Sequence, residues 1–159
     1  YLYYHLKARQ LPKKALPATK ARIVRPGRHA TIVTYSAMVH EAVSTAEKLS
    51  EDGFEIEIVD LRCVKPIDIE TVLGSIARTG RVLAIGEAFP WGGVTAEIIS
   101  QITSEGFNLL DAPPARLNSL DTPIPYHPEL WRFHRPTAHS IEDKIRKLIK
   151  EKILCEFQY

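Results

Sequence analysis

Strong charge of either sign is missing from this chain of 159 residues: 21 Lys and Arg stand against 19 Asp and Glu, a formal net charge of +2. A nucleic-acid-binding domain carries a marked basic excess to meet the phosphate backbone, so that class is excluded. Cysteine is scarce too. Cys63 and Cys155 are far apart and form no CxxC, which gives no disulfide framework and reads as free thiols in a reducing compartment. No apolar run approaches the roughly 18 residues of a membrane-spanning helix. No GxGxxG, GxxxxGK[ST] or GxSxG occurs, so nucleotide binding and the serine-hydrolase elbow lack their usual signals. An initiating Met and a signal peptide are also missing. The chain opens on Tyr1, and the expectation is a piece of something longer.

What is present is an ordinary globular composition, 45% hydrophobic and 25% charged. A chain this long buries roughly 70% of the surface it exposes when unfolded, so it needs neither disulfides nor metal to fold. The stretch from Tyr1 to Pro17 has aromatics, basic residues and prolines but no period. It reads as a flexible leader, an arm packed elsewhere, or the tail of a preceding domain. From Ala21 the punctuation is regular. Ala21–Arg25, Ala30–Tyr35, Phe54–Leu61 and Arg81–Ile85 are short strand-like runs, and Ala115–Leu117 suits an edge strand. Glu55 and Glu57 are expected to face solvent. Between the runs lie helical spacings: Val39 to Leu49 behind Ser36 as N-cap, Ile69 to Ile76 behind Asp68, and Val94 to Ile102. Gly53 and Gly80 close the first two. Ser140 to Asp143 reads as a capping box ahead of a last helix with a Lys- and Arg-rich outer face. Asp121 to Pro128 is too proline-rich for a central strand. Alternating strands and helices predict a mainly parallel sheet with helices on both faces.

In such a sheet ligands sit beyond the carboxyl ends of the strands. Glu87 follows an apolar strand there, and Gly92-Gly93 precedes a helix. The plain expectation is a tight turn with Glu87 paired to a nearby N–H or cation. Arg62 beside Cys63 favours a thiolate, yet no partner histidine is indicated, and packing is the preferred role. His127, His134 and His139 match no zinc spacing and read as loop-surface residues. Asp111, Asp121 and Glu129 have no evident partners.

The ordered blocks nevertheless carry a resemblance. Thr31 to Ala42 (TIVTYSAMVHEA), Val59-Asp60-Leu61-Arg62, Lys65-Pro66-Ile67-Asp68, Arg78-Thr79-Gly80-Arg81, and Glu87-Ala88 followed by Gly92 to Ile98 resemble the transketolase C-terminal domain. Leu110-Asp111-Ala112-Pro113 and Asp121 to Tyr126 look like the beta subunit of thiamine-diphosphate-dependent 2-oxo acid dehydrogenases. The match runs from about Ala21 to Ile149. Leu2-Tyr3-Tyr4 resembles the link from the preceding domain and leans toward branched-chain or fused versions. Phe89-Pro90-Trp91 is bulkier than the family's usual loop, and Thr95 stands where glycine is common.

The resemblance implies a three-layer α/β/α sandwich around a mostly parallel five-stranded sheet with one antiparallel edge strand. It implies a leader over 1–20, the domain over 21–152 and a tail over 153–159. It further implies oxidative decarboxylation of a 2-oxo acid, pyruvate or a branched-chain acid, with acyl transfer to lipoyl groups. Thiamine diphosphate and magnesium belong outside this chain, because the family's GDG-and-asparagine cofactor motif is absent. No catalytic residue is carried over. The implied partners are an alpha subunit or other domains of the same enzyme, a second beta subunit, and the peripheral binding domain of a lipoyl acyltransferase, with Asp111 and Glu87 as candidate contacts. Asp111 reads equally as a solvated carboxylate at a strand end. The compartment is the cytoplasm, or the mitochondrial matrix in a eukaryote. Another transketolase-group thiamine enzyme and a non-catalytic interaction module are the alternatives.

Overall fold

Three strands of aliphatic and β-branched residues make the centre of a five-stranded sheet: β2 (Ala30–Thr34), β3 (Ile56–Asp60) and β4 (Val82–Ile85). Almost every side chain in them is buried, as a strand covered by helices on both faces requires. The computed structural model describes residues 16–151. The expectations for the leader before residue 16, for Cys155 and for the tail fall outside the described residues. Edge strands β1 (Arg22–Arg25) and β5 (Ala115–Leu117) complete the order β1-β3-β2-β4-β5. β1 runs antiparallel to β3, while the β3–β2, β2–β4 and β4–β5 pairs are parallel. The expected mixed sheet with one antiparallel edge strand is therefore the observed one.

Helices cover both faces. On one, Ile32, Ile58 and Leu83 pack with α1 (Met38–Glu51) and with the last helix, α5 (Ala138–Lys150). On the other, Val33, Val59 and Ala84 pack with α2 (Ile69–Thr79) and α3 (Val94–Gly106). A short helix, α4 (Pro128–His134), lies in the proline-rich segment between β5 and α5. Gly53 and Gly80 both take the left-handed conformation expected after a helix.

Local details depart from expectation at four places. Ser36 does not cap α1. It sits in the left-handed region at φ 56, where its Oγ cannot take the extended cap geometry, and Ala37 precedes the helix without a side-chain bond. Ser140 is not the cap of α5. Thr137 is, and Ser140 is the reciprocal third position of that capping box. Glu57 does not face solvent. Both faces of β3 are covered, and the carboxylate is buried against Arg78 of α2 and the Gly27 N–H. His134 is buried beneath the loop rather than on it.

Asp68 stands before α2 as expected, but its carboxylate binds no helix N–H. It accepts from Ala21 N (3.0 Å), Thr71 Oγ1 (2.7 Å) and Lys20 Nζ (3.2 Å), tying the incoming chain to α2. Burial pushes this carboxyl up, but the three donors outweigh it and hold it below the ordinary carboxylate value. Asp68→Ala is expected to cost about 2 kcal/mol at pH 7, because it strands the buried Ala21 N–H. A depressed folded pKa stabilises above the unfolded value of about 3.9 and loses that contribution as pH falls through the folded value. The gap between the two proteins should therefore narrow below about pH 4. Denaturant titrations at neutral and acid pH check both statements.

Candidate functional site

The chain leaves β4 through Gly86 and enters a loop that ends at Gly93, the residue before α3. Polar bonds from the β5 side hold this loop. Gly86 N donates to Leu117 O (3.1 Å), Ser119 Oγ to Glu87 O (2.6 Å), Asn118 Nδ2 to Ala88 O (2.9 Å), and Arg116 Nη1 to Pro90 O (2.7 Å). Thr95 is fully buried and its hydroxyl donates to Asn118 Oδ1 (2.8 Å). A hydroxyl in place of the usual glycine is thus absorbed by this network. Gly92, at φ 65, makes the tight turn that the glycine pair suggested.

Glu87 Oε1 lies 3.5 Å from Arg135, which also reaches Glu41 of α1 at 2.7 Å and covers the Trp131 ring at 4.7 Å. Burial, and then the negative charge of Glu87, push the Tyr35 phenol up, which places Tyr35 in the same neighbourhood. His134 completes the cluster, with Nδ1 3.3 Å from Thr122 Oγ1 and its ring edge against Phe89 at 6.0 Å. These groups enclose a cavity of about 370 Å³ whose walls include Phe89, Ile124, Trp131 and Arg135. Helix α4 builds one wall. Its start is set by His127, whose Nδ1 accepts from Glu129 N at 3.3 Å, and by Pro128 in the first turn. That Pro-plus-cap pattern was the available sequence signal for the helix.

Ser119 has spent its hydroxyl on a backbone carbonyl, and Glu87 is matched by Arg135. Cys63 lies elsewhere, its Sγ donating to Lys65 O at 3.1 Å. No nucleophile among these is joined to a base, as covalent catalysis demands.

Asp111 sits at the other end of the sheet. Its N–H donates to Gly80 O (2.7 Å), and its carboxylate is 3.7 Å from Arg81, just before β4. Glu87 lies just beyond that strand. Arg81, beside Asp111, and Glu87 are six residues apart along this strand and its end, so the two candidates are on the order of 20 Å apart at about 3.3 Å per residue. Asp111 is 67% exposed, so it is available to a partner. Asp121 and Glu129 are exposed on the loop and on α4.

Among the described residues no three His, Cys, Asp or Glu side chains gather as a metal site. Nor is any described helix long and apolar enough to cross a membrane.

With that geometry in hand, comparison with known proteins is informative. The family model of the transketolase C-terminal domain matches residues 19–141. Pyruvate dehydrogenase E1 component subunit beta-1, mitochondrial, of Arabidopsis thaliana is 43% identical over 131 residues, covering 82% of this chain and 35% of that protein. The beta subunit of acetoin:2,6-dichlorophenolindophenol oxidoreductase from Cupriavidus necator is 39% identical, over 86% of this chain and 40% of that protein. Among solved structures, a split-gene transketolase described as an inactive beta4 tetramer superposes with a TM-score of 0.80 at 21% identity, over 92% of this chain and 48% of that one. That likeness concerns the fold. The chain spans well under half the length of the two curated relatives.

Proposed function

The chain belongs to the transketolase C-terminal domain family, and from that premise we propose that it is the C-terminal domain of the beta component of a thiamine-diphosphate-dependent 2-oxo acid dehydrogenase. The observation that carries this reading is the pair of beta-subunit relatives at 43% and 39% identity across more than four fifths of the chain. Residues 21–152 form the domain, and the segments on either side connect or extend it. Its task is assembly with an alpha subunit and a second beta subunit, and docking of a lipoyl acyltransferase through that protein's peripheral binding domain. Decarboxylation belongs to the complete enzyme, where thiamine diphosphate and magnesium bind outside this chain. The two relatives' names carry pyruvate and acetoin, so the substrate is proposed at the level of a small 2-oxo acid. The cytoplasm or the mitochondrial matrix is the proposed compartment.

Docking is assigned to the end of the sheet that carries Asp111, and assembly to the end that carries Glu87. A carboxylate that meets a guanidinium gains directional, charge-assisted bonds, and a basic binding domain supplies that partner. Calorimetric titration of the chain with the acyltransferase's binding domain tests the reading. Saturable binding is expected. Asp111→Lys should weaken it at least tenfold, by the like-charge penalty, while the thermal midpoint stays within about 2 °C, because an exposed charge contributes little stability. Absence of binding, or binding indifferent to Asp111→Lys, overturns the docking assignment.

A further inference from the structure

Between β5 and α5 the chain makes an excursion whose two ends are tied together, the form of an Ω-loop. Leu120 N donates to His134 O at 2.9 Å, and Thr122 Oγ1 lies 3.3 Å from His134 Nδ1. This neck is buried and fastened on both sides. Ser119 is 4% exposed and donates to Glu87 O, His134 is 6% exposed, and beyond Arg135 the Thr137 capping box starts α5. Past the neck the burial ends. Every residue from Asp121 to Phe133 is exposed except Pro125, which is half-buried. Among the described residues no side chain over 123–133 makes a hydrogen bond or ion pair to the rest of the domain. The bonds there are internal, from Glu129 N to His127 Nδ1 and from Trp131 N to His127 O.

We infer that residues 121–133 form a strap that opens as one unit on this neck while the sheet stays folded, with Arg135 as its latch. The first support is what lies under the strap. Ile124 and Trp131 share the walls of the cavity of about 370 Å³ with Ala88 and Phe89 of the body. The underside is hollow there, and it forgoes the close contacts that fix an element to a packed core. A segment with few buried apolar contacts opens locally, as a contiguous unit, at a fraction of the cost of global unfolding. The second support is the side chain that bridges strap and body. The Arg135 guanidinium is held by Glu41 of α1 at 2.7 Å and by Glu87 at 3.5 Å, and it lies 4.7 Å over the Trp131 ring. A cation over an indole face is attracted to it, more so where water is excluded, and this arginine side chain is 19% exposed. It therefore ties the strap's tryptophan to two carboxylates of the body.

Opening parts Ile124 and Trp131 from Phe89 and admits solvent to the cavity. The strap is a device of this chain alone and stands whichever enzyme the domain serves.

Hydrogen exchange of the full chain, read residue by residue by NMR, tests the strap. The amides of Trp131 and Arg135 donate to His127 O and Trp131 O. Both should exchange through one shared opening, with an opening constant that low urea leaves unchanged. Their exchange should run at least tenfold ahead of the Leu120 amide at the neck, and further ahead of β2 and β3. Arg135→Gln should speed the Trp131 amide at least tenfold and leave Leu120 and the central strands as they were. Arg132→Gln, exposed on the same helix, should change none of these. Should Arg135→Gln not fold, Glu41→Gln loosens the latch from the body side and must speed the same amide. A Trp131 amide that exchanges only together with the central strands overturns the inference, because nothing then opens locally. Different opening constants for Trp131 and Arg135 overturn it in favour of helix fraying. Exchange of Leu120 along with Trp131 removes the hinge, and a Trp131 amide indifferent to the Arg135 and Glu41 variants removes the latch.

Discussion

Gly27→Ala is expected to cost at least about 3 kcal/mol of stability, the upper range for forcing an atom into a packed interior. Gly27 lies in the turn between β1 and β2, and the chain there presses against the backbone of β3. Arg28 N and His29 N both donate to Glu55 O at 3.0 Å, and Gly27 N donates to Glu57 Oε2 at 3.3 Å. A methyl group at position 27 would stand 2.1 Å from Glu57 N and 2.3 Å from Ile56 C. Those atoms cannot yield, because Ile56 and Glu57 are in register with Ala30 and Thr31 at the centre of the sheet. The turn itself must move and lose its three bonds. A fall in the thermal midpoint of roughly 10 °C is expected for a domain of this size. Gly74→Ala supplies a control of opposite sign. Gly74 is exposed in the middle of α2 with nothing within 4 Å of the added methyl, so the better helix former should stabilise by about 0.5–1 kcal/mol. If both variants lower the midpoint equally, close packing at Gly27 is not the cause.

The contrast shows what was legible in the sequence. Pro26-Gly27 announces a turn, and β-branched runs between helical spacings announce the parallel sheet, because both are local patterns with a fixed period. That Gly27 must lack a Cβ is a long-range fact, since the atoms in its way are some thirty residues further along. Ser36 fails for a related reason. Ser before a helical spacing is a sound N-cap signal, but β2 turns so sharply into α1 that the residue is forced to positive φ. Helix α4 is only seven residues long, too short for a periodicity, and only the proline in its first turn with His127 ahead of it was available to reveal it.

The candidate site was legible as separate residues and not as an arrangement. Glu87 at a strand end and Gly92-Gly93 ahead of a helix are readable, and the expected partner for Glu87 is a nearby N–H or a cation. That the cation is Arg135, which also binds Glu41 from α1, follows only from packing elements far apart in sequence. Asp111 and Glu87 are the two candidate contacts that the family resemblance implies. The strand between them puts Asp111 beside Arg81 at its start and Glu87 just beyond its end. Exposed Trp91, Tyr126 and Phe133 carry no motif at all. Only the folded chain shows that they are exposed.

Arg78→Ala should be the second most damaging change, although the arginine is half exposed. Its Nη2 pairs with Glu57 Oε1, and the glutamate is 3% exposed. Glu57 reads as the outward residue of an alternating strand, but β3 has no outward face, and the counter-charge arrives from α2, twenty-one residues later. Removing the partner of a buried ion leaves its charge uncompensated, at a cost of about 3–5 kcal/mol when no water can reach it. The exposed arginine head admits some water, so the lower figure is expected. The second oxygen of Glu57 accepts from Gly27 N, and a neutral amide at 57 keeps that bond. Adding Glu57→Gln to Arg78→Ala should therefore recover at least half of the loss, since the stranded charge rather than the missing contact is what destabilises. Denaturant melts of the single and double variants decide it. Recovery on adding Glu57→Gln places the cost in desolvated charge. A single-variant loss below about 1 kcal/mol would mean that the pair behaves as a surface bridge and that solvent reaches Glu57 from the α2 side.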